Sequence, residues 1–243
     1  MIVPLAGGQE DGNRPPLQIL CLGDSITQAN NEGCGYRYAL WKKLIDYQIE
    51  FDFIGSMDKR FGQEPGSECP PYKGRVFDPD HEGHWGWRID EILQGTLDLP
   101  PETGTGSLAG WLKGYTPDIV LLHLGNNDAG HSESADRMAD ELKQVIRLLQ
   151  QDNPSVSILL ARVIPCVNPI WNARLTVLNS VIDDVAADTR TATSNVMVVD
   201  LAAGFDPLED TLDHTHPNAR GAEKMANKWM EGIQKVLDRP PMD

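Results

Sequence analysis

The sequence is short of positive charge. Against 36 aspartates and glutamates it carries only 21 lysines and arginines, for a formal net charge of −15. Such a field repels nucleic acid, anionic headgroups and polyanionic sugars, so neither a nucleic-acid nor a membrane partner is expected. A neutral or cationic substrate suits it better. Cysteine is scarce as well: Cys21, Cys34, Cys69 and Cys166 are the only 4. They form no C-x-x-C pair, which excludes zinc-ribbon and dithiol redox motifs. Cys21 lies in an apolar run and reads as a small core residue. A disulfide involving Cys34 or Cys69 is allowed but not required. No apolar run reaches the ~20 residues that a membrane-spanning helix needs. The first 16 residues have neither a basic start nor an apolar stretch of signal length, so an intracellular setting is expected.

What is present fits a folded α/β chain. Hydrophobic residues make up 40% and charged residues 23%, which places the 243 residues among globular proteins. Five short runs are apolar on both faces: Leu17 to Leu22, Phe51 to Ile54, Ile119 to Leu124, Val156 to Ala161 and Val196 to Val199. Runs of this kind are strands of a parallel sheet covered on both sides. Helical spacing lies between them. Tyr36 to Tyr47 is one candidate. Ala135, Met138, Leu142, Val145, Ile146 and Leu149 form a stripe that Ser132 or Ser134 can cap and Asn153-Pro154 stops. Leu175, Leu178, Ile182 and Val185 form another. A last helix, opening at Pro217, carries Ala222, Met225, Ala226, Trp229, Ile233 and Val236. The alternation predicts right-handed crossovers and a three-layer α/β/α sandwich around a central five-stranded parallel sheet. Residues 1–15 read as a loose tail and 16–243 as one domain. Two Gly- and Pro-rich segments, 56–83 and 99–117, read as long loops, which in small domains commonly serve function.

In such a fold ligands sit beyond the carboxyl ends of the strands. Gly23-Asp24-Ser25-Ile26-Thr27 follows the first strand, and Gly125-Asn126-Asn127-Asp128 follows the third. Asp213-His214-Thr215-His216-Pro217 precedes the last helix. Taken singly, each has an ordinary reading. Ser25 is an N-cap, Asn127 an Asx turn, Gly86 a turn of positive φ, and Asp213-x-x-His216 a solvated loop. Taken together they supply a nucleophile, a base, an acid to orient the base, and donors for an oxyanion. The Asp213 carboxylate, three residues before His216, can accept from Nδ1 and leave Nε2 free to take the Ser25 proton. His214 is the rival base; Pro217 beside His216 favours the latter. Ser25 N–H, Gly86 N–H and the Asn127 amide are the candidate oxyanion donors.

The order of these motifs resembles the SGNH (GDSL-type) hydrolase family, with Ser25, Gly86, Asn127 and His216 at its four signature positions and Asp213 as the acid. The resemblance runs from Leu17 to the last helix and implies a flavodoxin-like fold and a serine esterase with neither cofactor nor metal. Asp80-His81-Glu82-Gly83-His84-Trp85-Gly86-Trp87-Arg88-Ile89-Asp90, with Phe51 to Ser56 ahead of it, looks like the family 3 carbohydrate esterases, which include acetylxylan esterases. That similarity implies short-chain, chiefly acetyl, esters of carbohydrates. Trp85 departs from it, since a small residue stands there in that family; with Trp87 it is a candidate sugar platform. His81 and Glu82 read as braces for the Gly86 loop, Asp24 and Asp128 as acceptors for backbone N–H groups, and His123 as a hydrogen-bonded core residue. Alternatives are a longer-chain lipase or thioesterase of the same superfamily, or a non-catalytic sugar-binding relative.

Overall fold

The structure is a computed structural model that describes residues 15–238; nearly all of the expected N-terminal tail lies outside the described residues. The strands are β1 (Leu17–Gly23), β2 (Phe51–Ile54), β3 (Glu82–Gly83), β4 (Ile119–His123), β5 (Ser157–Arg162) and β6 (Val196–Asp200). The helices are α1 (Ser25–Gln28), α2 (Gly35–Asp46), α3 (Ile89–Gln94), α4 (Leu108–Trp111), α5 (Asn126–Gly130), α6 (Ala135–Asp152), α7 (Pro169–Thr189) and α8 (Ala219–Leu237). All strand pairs are parallel, in the order β2-β1-β4-β5-β6. The two-residue β3 pairs with Leu22 and Gly23 of β1, beyond the Leu17–Leu20 stretch that pairs with β2. Five main strands flanked by helices make the α/β/α sandwich that the apolar runs predicted.

Alternation along each strand feeds two cores. Leu20 and Leu22, Val120 and Leu122, and Ile158 and Leu160 face the layer of α3, α6 and α7. Ile19 and Cys21, Ile119 and Leu121, and Leu159 and Ala161 face the layer of α2 and α8. Successive side chains of a strand point to opposite faces, so a strand covered twice has to be apolar throughout. The helix ends follow their caps. Ser134 accepts from Arg137 N, and Asn168 accepts from Ile170 N and Trp171 N just ahead of Pro169. α8 begins two residues later than expected. Asn218, not Pro217, sits at its mouth and accepts from Arg220 N and Gly221 N. A side-chain cap satisfies end donors that a proline only dispenses with. Cys34 and Cys69 are joined in a disulfide that ties the start of α2 to the long loop before β3, while Cys21 and Cys166 are free and buried. No helix among the described residues is long and apolar enough to cross a membrane.

The chain runs from β1 to β2 on one side and later returns to β4 on the other. The carboxyl ends of β1 and β4 therefore flank the topological switch point, where open α/β sheets leave a crevice. At this edge β3 lies directly against α1: a Cβ on Gly83 would stand 2.4 Å from Gln28 N. Gly83→Ala is expected to cost ~1–3 kcal/mol through overpacking and so to lower the melting temperature. Gly33→Ala, with nothing within 4 Å of the added methyl, should leave it unchanged. Thermal unfolding of the two variants checks this.

Candidate functional site

Ser25 is the first residue of α1, a single turn beginning where β1 ends. Asp24, rather than Ser25, is the cap: its Oδ1 accepts from Ile26 N at 2.9 Å. The serine hydroxyl is thereby left for chemistry. His216 stands at the end of a loop that Leu212 N closes by donating to His216 O at 2.8 Å. The Asn218 amide fastens the same loop to Glu209 O and Thr211 O. Inside it the Asp213 carboxylate accepts from Thr215 N at 3.1 Å and His216 N at 2.8 Å through Oδ1, and from His216 Nδ1 at 2.7 Å through Oδ2. His216 Nε2 lies 2.9 Å from Ser25 Oγ. The three residues form one line, hydroxyl to imidazole to carboxylate. Burial pushes the Asp213 carboxyl up, but donation from the backbone and ring of His216 outweighs it and holds the group below its usual range. His214 is exposed, with φ at 72°, and stands apart from this line.

The candidate oxyanion donors come from two further elements. Gly86 takes φ of 82°, a left-handed conformation that glycine adopts without penalty; space is not the constraint there, since the nearest atom to an added Cβ is Leu99 Cδ1 at 3.6 Å. Asn127 lies in the first turn of α5, and its Nδ2 donates to Trp87 O at 2.8 Å. That bond uses one amide hydrogen and fixes the direction of the other. Among the described residues neither Ser25 N nor Gly86 N meets an acceptor. Ser25, Gly86, Asn127 and His216 line one depression of about 250 Å³, closed by Trp85, Asn126, Cys166, Trp171, Leu175 and Thr215.

The loop that carries Gly86 rests on a buried polar cluster. Glu82 and His84 are both wholly buried. Glu82 Oε2 meets His84 Nε2 at 2.8 Å, and its Oε1 accepts from Tyr115 OH at 2.6 Å and from Ser56 N. His84 Nδ1 donates to Thr103 O at 2.8 Å, and the ring stacks on Trp111 and packs at a tilt against Trp87. Burial, then the nearby Arg37 guanidinium, holds the His81 ring well below its ordinary value, and its Nδ1 accepts from Gly83 N at 2.8 Å. An unpaired buried charge or polar group costs several kcal/mol, so these cross-bonds are what allow the cluster to exist.

Two expectations change here. Trp87 is 0% exposed and donates to Thr103 Oγ1. It is a core residue under the site and cannot stack on a sugar. Trp85 lies at the site, but both faces of its ring are covered, one by Phe61 and the other by His216. Only its edge remains for a ligand. Four residues to which the sequence alone assigns no place at the site take part. Cys166, Trp171 and Leu175 wall the depression, and the Gln28 side chain accepts from Trp85 N at 2.8 Å while donating to Glu102 O. Asn168-Pro169, a cap followed by an N1 proline, is the sequence signal that could have placed Trp171 at the cleft.

A family model for GDSL-like lipases and acylhydrolases matches residues 75–224, more than half of the chain. The chain belongs to the GDSL-like lipase/acylhydrolase family. The matched span includes Gly86, Asn127, Asp213 and His216. Family membership places the chain among the carboxylic ester hydrolases. A multidomain esterase of Ruminococcus flavefaciens is 30% identical over 233 residues; these cover 91% of this chain but only 29% of that relative's length. A carbohydrate esterase family 3 structure from Talaromyces cellulolyticus superposes with a TM-score of 0.74 at 29% identity, covering 92% of this chain and 100% of that one. A family 3 carbohydrate esterase from Clostridium thermocellum gives 0.69 at 26%, with 92% and 100% covered.

Two carboxyls next to the site residues give a pH test. Burial is the largest effect on both Asp24 and Asp128, and each is pushed up to about 7, with repulsion from Asp128 adding to Asp24. Each has one oxygen bonded, to Ile26 N or Ile89 N, and the other without a partner. A carboxyl whose folded pKa is raised favours the folded state below its unfolded value near 3.8, and that contribution is lost as pH rises through about 7. Asp24→Asn and Asp128→Asn therefore gain stability on the parent as pH goes from 5 to 8. A tenfold change in acidity between folded and unfolded chain is worth ~1.4 kcal/mol, and each kcal/mol moves the melting temperature by ~2–4 °C in a chain this size. A difference in melting temperature that stays constant over that range would contradict the assignment.

Proposed function

We propose that the protein is a serine esterase that removes short acyl groups, chiefly acetyl, from carbohydrates through an acyl-enzyme. The observation that carries the reading is the unbroken line from Ser25 Oγ through both nitrogens of His216 to Asp213, at 2.9 and 2.7 Å. Ser25 Oγ attacks the ester carbonyl and its proton passes to His216 Nε2. The carbonyl oxygen becomes an oxyanion facing Ser25 N, Gly86 N and Asn127 Nδ2. Asp213 holds the tautomer and stabilises the imidazolium. His216 then gives the proton to the departing alcohol, and a water activated by the same nitrogen releases the acid in the second half.

Carbohydrate as the alcohol is supported by what the two family 3 esterases are called, and by a net charge that disfavours anionic polymers. A short acyl group is supported by the size of the depression, about 250 Å³, and by Trp85, Trp171 and Leu175 among its walls. The Cys34–Cys69 bond suits an oxidising compartment rather than the intracellular one expected from the N-terminal residues.

Ser25→Ala is expected to abolish ester hydrolysis with an unchanged melting temperature. Asn127→Ala should lower kcat by ~10²–10³ with little change in KM, as for the loss of one oxyanion donor; a change confined to KM would contradict that role. Among p-nitrophenyl esters acetyl should be turned over fastest, and decanoyl outpacing acetyl would overturn the short-acyl reading. Release of acetate from a panel of acetylated sugars tests the alcohol side.

A further inference from the structure

The catalytic imidazole is not held by hydrogen bonds alone. The indole of Trp85 lies flat on it, with ring centroids 4.4 Å apart and planes 17° from parallel. Phe61 lies flat on the other face of Trp85, at 4.5 Å and again 17°. Three rings from three segments form one stack that ends on His216. We propose that Trp85, backed by Phe61, is a positioning residue that clamps the His216 ring in the one orientation that serves Ser25 and Asp213 together. The proposal rests on the esterase reading above, in which His216 is the base.

The need for a clamp follows from where His216 sits. It belongs to a loop between β6 and α8, and its partner Asp213 has a side chain 51% exposed. The bonds from Nδ1 to Asp213 and from Nε2 to Ser25 lie at opposite ends of the ring. Two such bonds fix the ring along the line between them but leave it free to roll about that line. A flat surface pressed on one face removes the roll. Trp85 is itself held firmly: Gln28, wholly buried on the same helical turn as Ser25, accepts from Trp85 N at 2.8 Å. Phe61 is fixed to the segment after α1 by Phe61 N donating to Ala29 O at 3.0 Å. The stack thus refers His216 back to the helix that carries its own nucleophile.

The contact also changes during the reaction. A neutral imidazole gains little from an indole face, but the imidazolium formed when Ser25 attacks meets the negative face of the ring. An interaction that strengthens only as charge develops lowers the barrier without tightening substrate binding. A sugar platform would do the opposite, and the second face such a platform needs is taken by Phe61.

The test is steady-state kinetics on p-nitrophenyl acetate for the parent, His216→Ala, Trp85→Leu, Trp85→Phe and Phe61→Leu, with far-ultraviolet circular dichroism to verify folding. Trp85→Leu keeps an apolar side chain but no plane and is expected to lose ~10–100-fold in kcat, the scale for a misplaced catalytic group, with KM nearly unchanged. Trp85→Phe, which restores a flat ring, recovers most of the loss. Phe61→Leu, which touches no reacting atom, loses kcat in the same direction by less, and decides the matter if Trp85→Leu does not fold. A rise in KM at constant kcat, or equal rates for the Leu and Phe variants, overturns the clamp. A parent whose activity survives His216→Ala overturns the esterase reading itself, and the clamp with it.

Discussion

A hydrogen bond of 2.9 Å joins Ser25 Oγ to His216 Nε2 across 191 positions of sequence. Most of the architecture at the carboxyl edge of the sheet serves that distance. Ser25 is placed by the end of β1, at the start of a turn that Asp24 caps. His216 is placed by a loop closed on itself, anchored to the mouth of α8 through Asn218. The bond is of a length that an ordinary proton transfer requires. A shift of an ångström in either support would open it.

The candidate donors for an oxyanion are held by a different device. Gly86 and Asn127 are tied to one another's surroundings, since the Asn127 amide donates to Trp87 O one residue beyond the glycine. Beneath them lie Glu82, His84, Tyr115 and Thr103, a buried network in place of apolar packing. Such networks are costly unless every member finds a partner, and in return they allow a single arrangement rather than many. For a loop that must present a backbone N–H at one point in space, a unique arrangement is worth more than a few kcal/mol of extra stability. The site therefore rests on polar bonds below and on stacked rings beside.

Much of this was legible in the sequence because it depends on local pattern. Doubly covered strands have to be apolar on both faces, so β1, β4 and β5 stand out as runs. The motifs around Ser25, Asn127 and His216 are short segments at strand and helix ends, and each strand-end motif falls where a crevice is expected. What stayed hidden depends on how long loops fold back. Nothing in the spacing of Phe61 and Trp85 says that their rings stack, because a long and largely irregular stretch of chain lies between them. Trp87 looked like a sugar platform because an aromatic beside the site reads the same whether it faces outward or inward, and only the polar cluster around Thr103 draws it in. The Cys34–Cys69 pairing and the walls formed by Cys166, Trp171 and Leu175 were hidden for the same reason.

The central claim is that one carbonyl carbon can meet the Ser25 hydroxyl while its oxygen meets three donors. A crystal structure of the protein after reaction with a fluorophosphonate tests it most directly, since the tetrahedral phosphorus mimics the intermediate. The account predicts phosphorus bonded to Ser25 Oγ, with one phosphoryl oxygen within ~3.1 Å of Ser25 N, Gly86 N and Asn127 Nδ2, and His216 Nε2 facing the bonded oxygen. Phosphorus on another residue, or a phosphoryl oxygen pointing away from Gly86 and Asn127 into solvent, would contradict it.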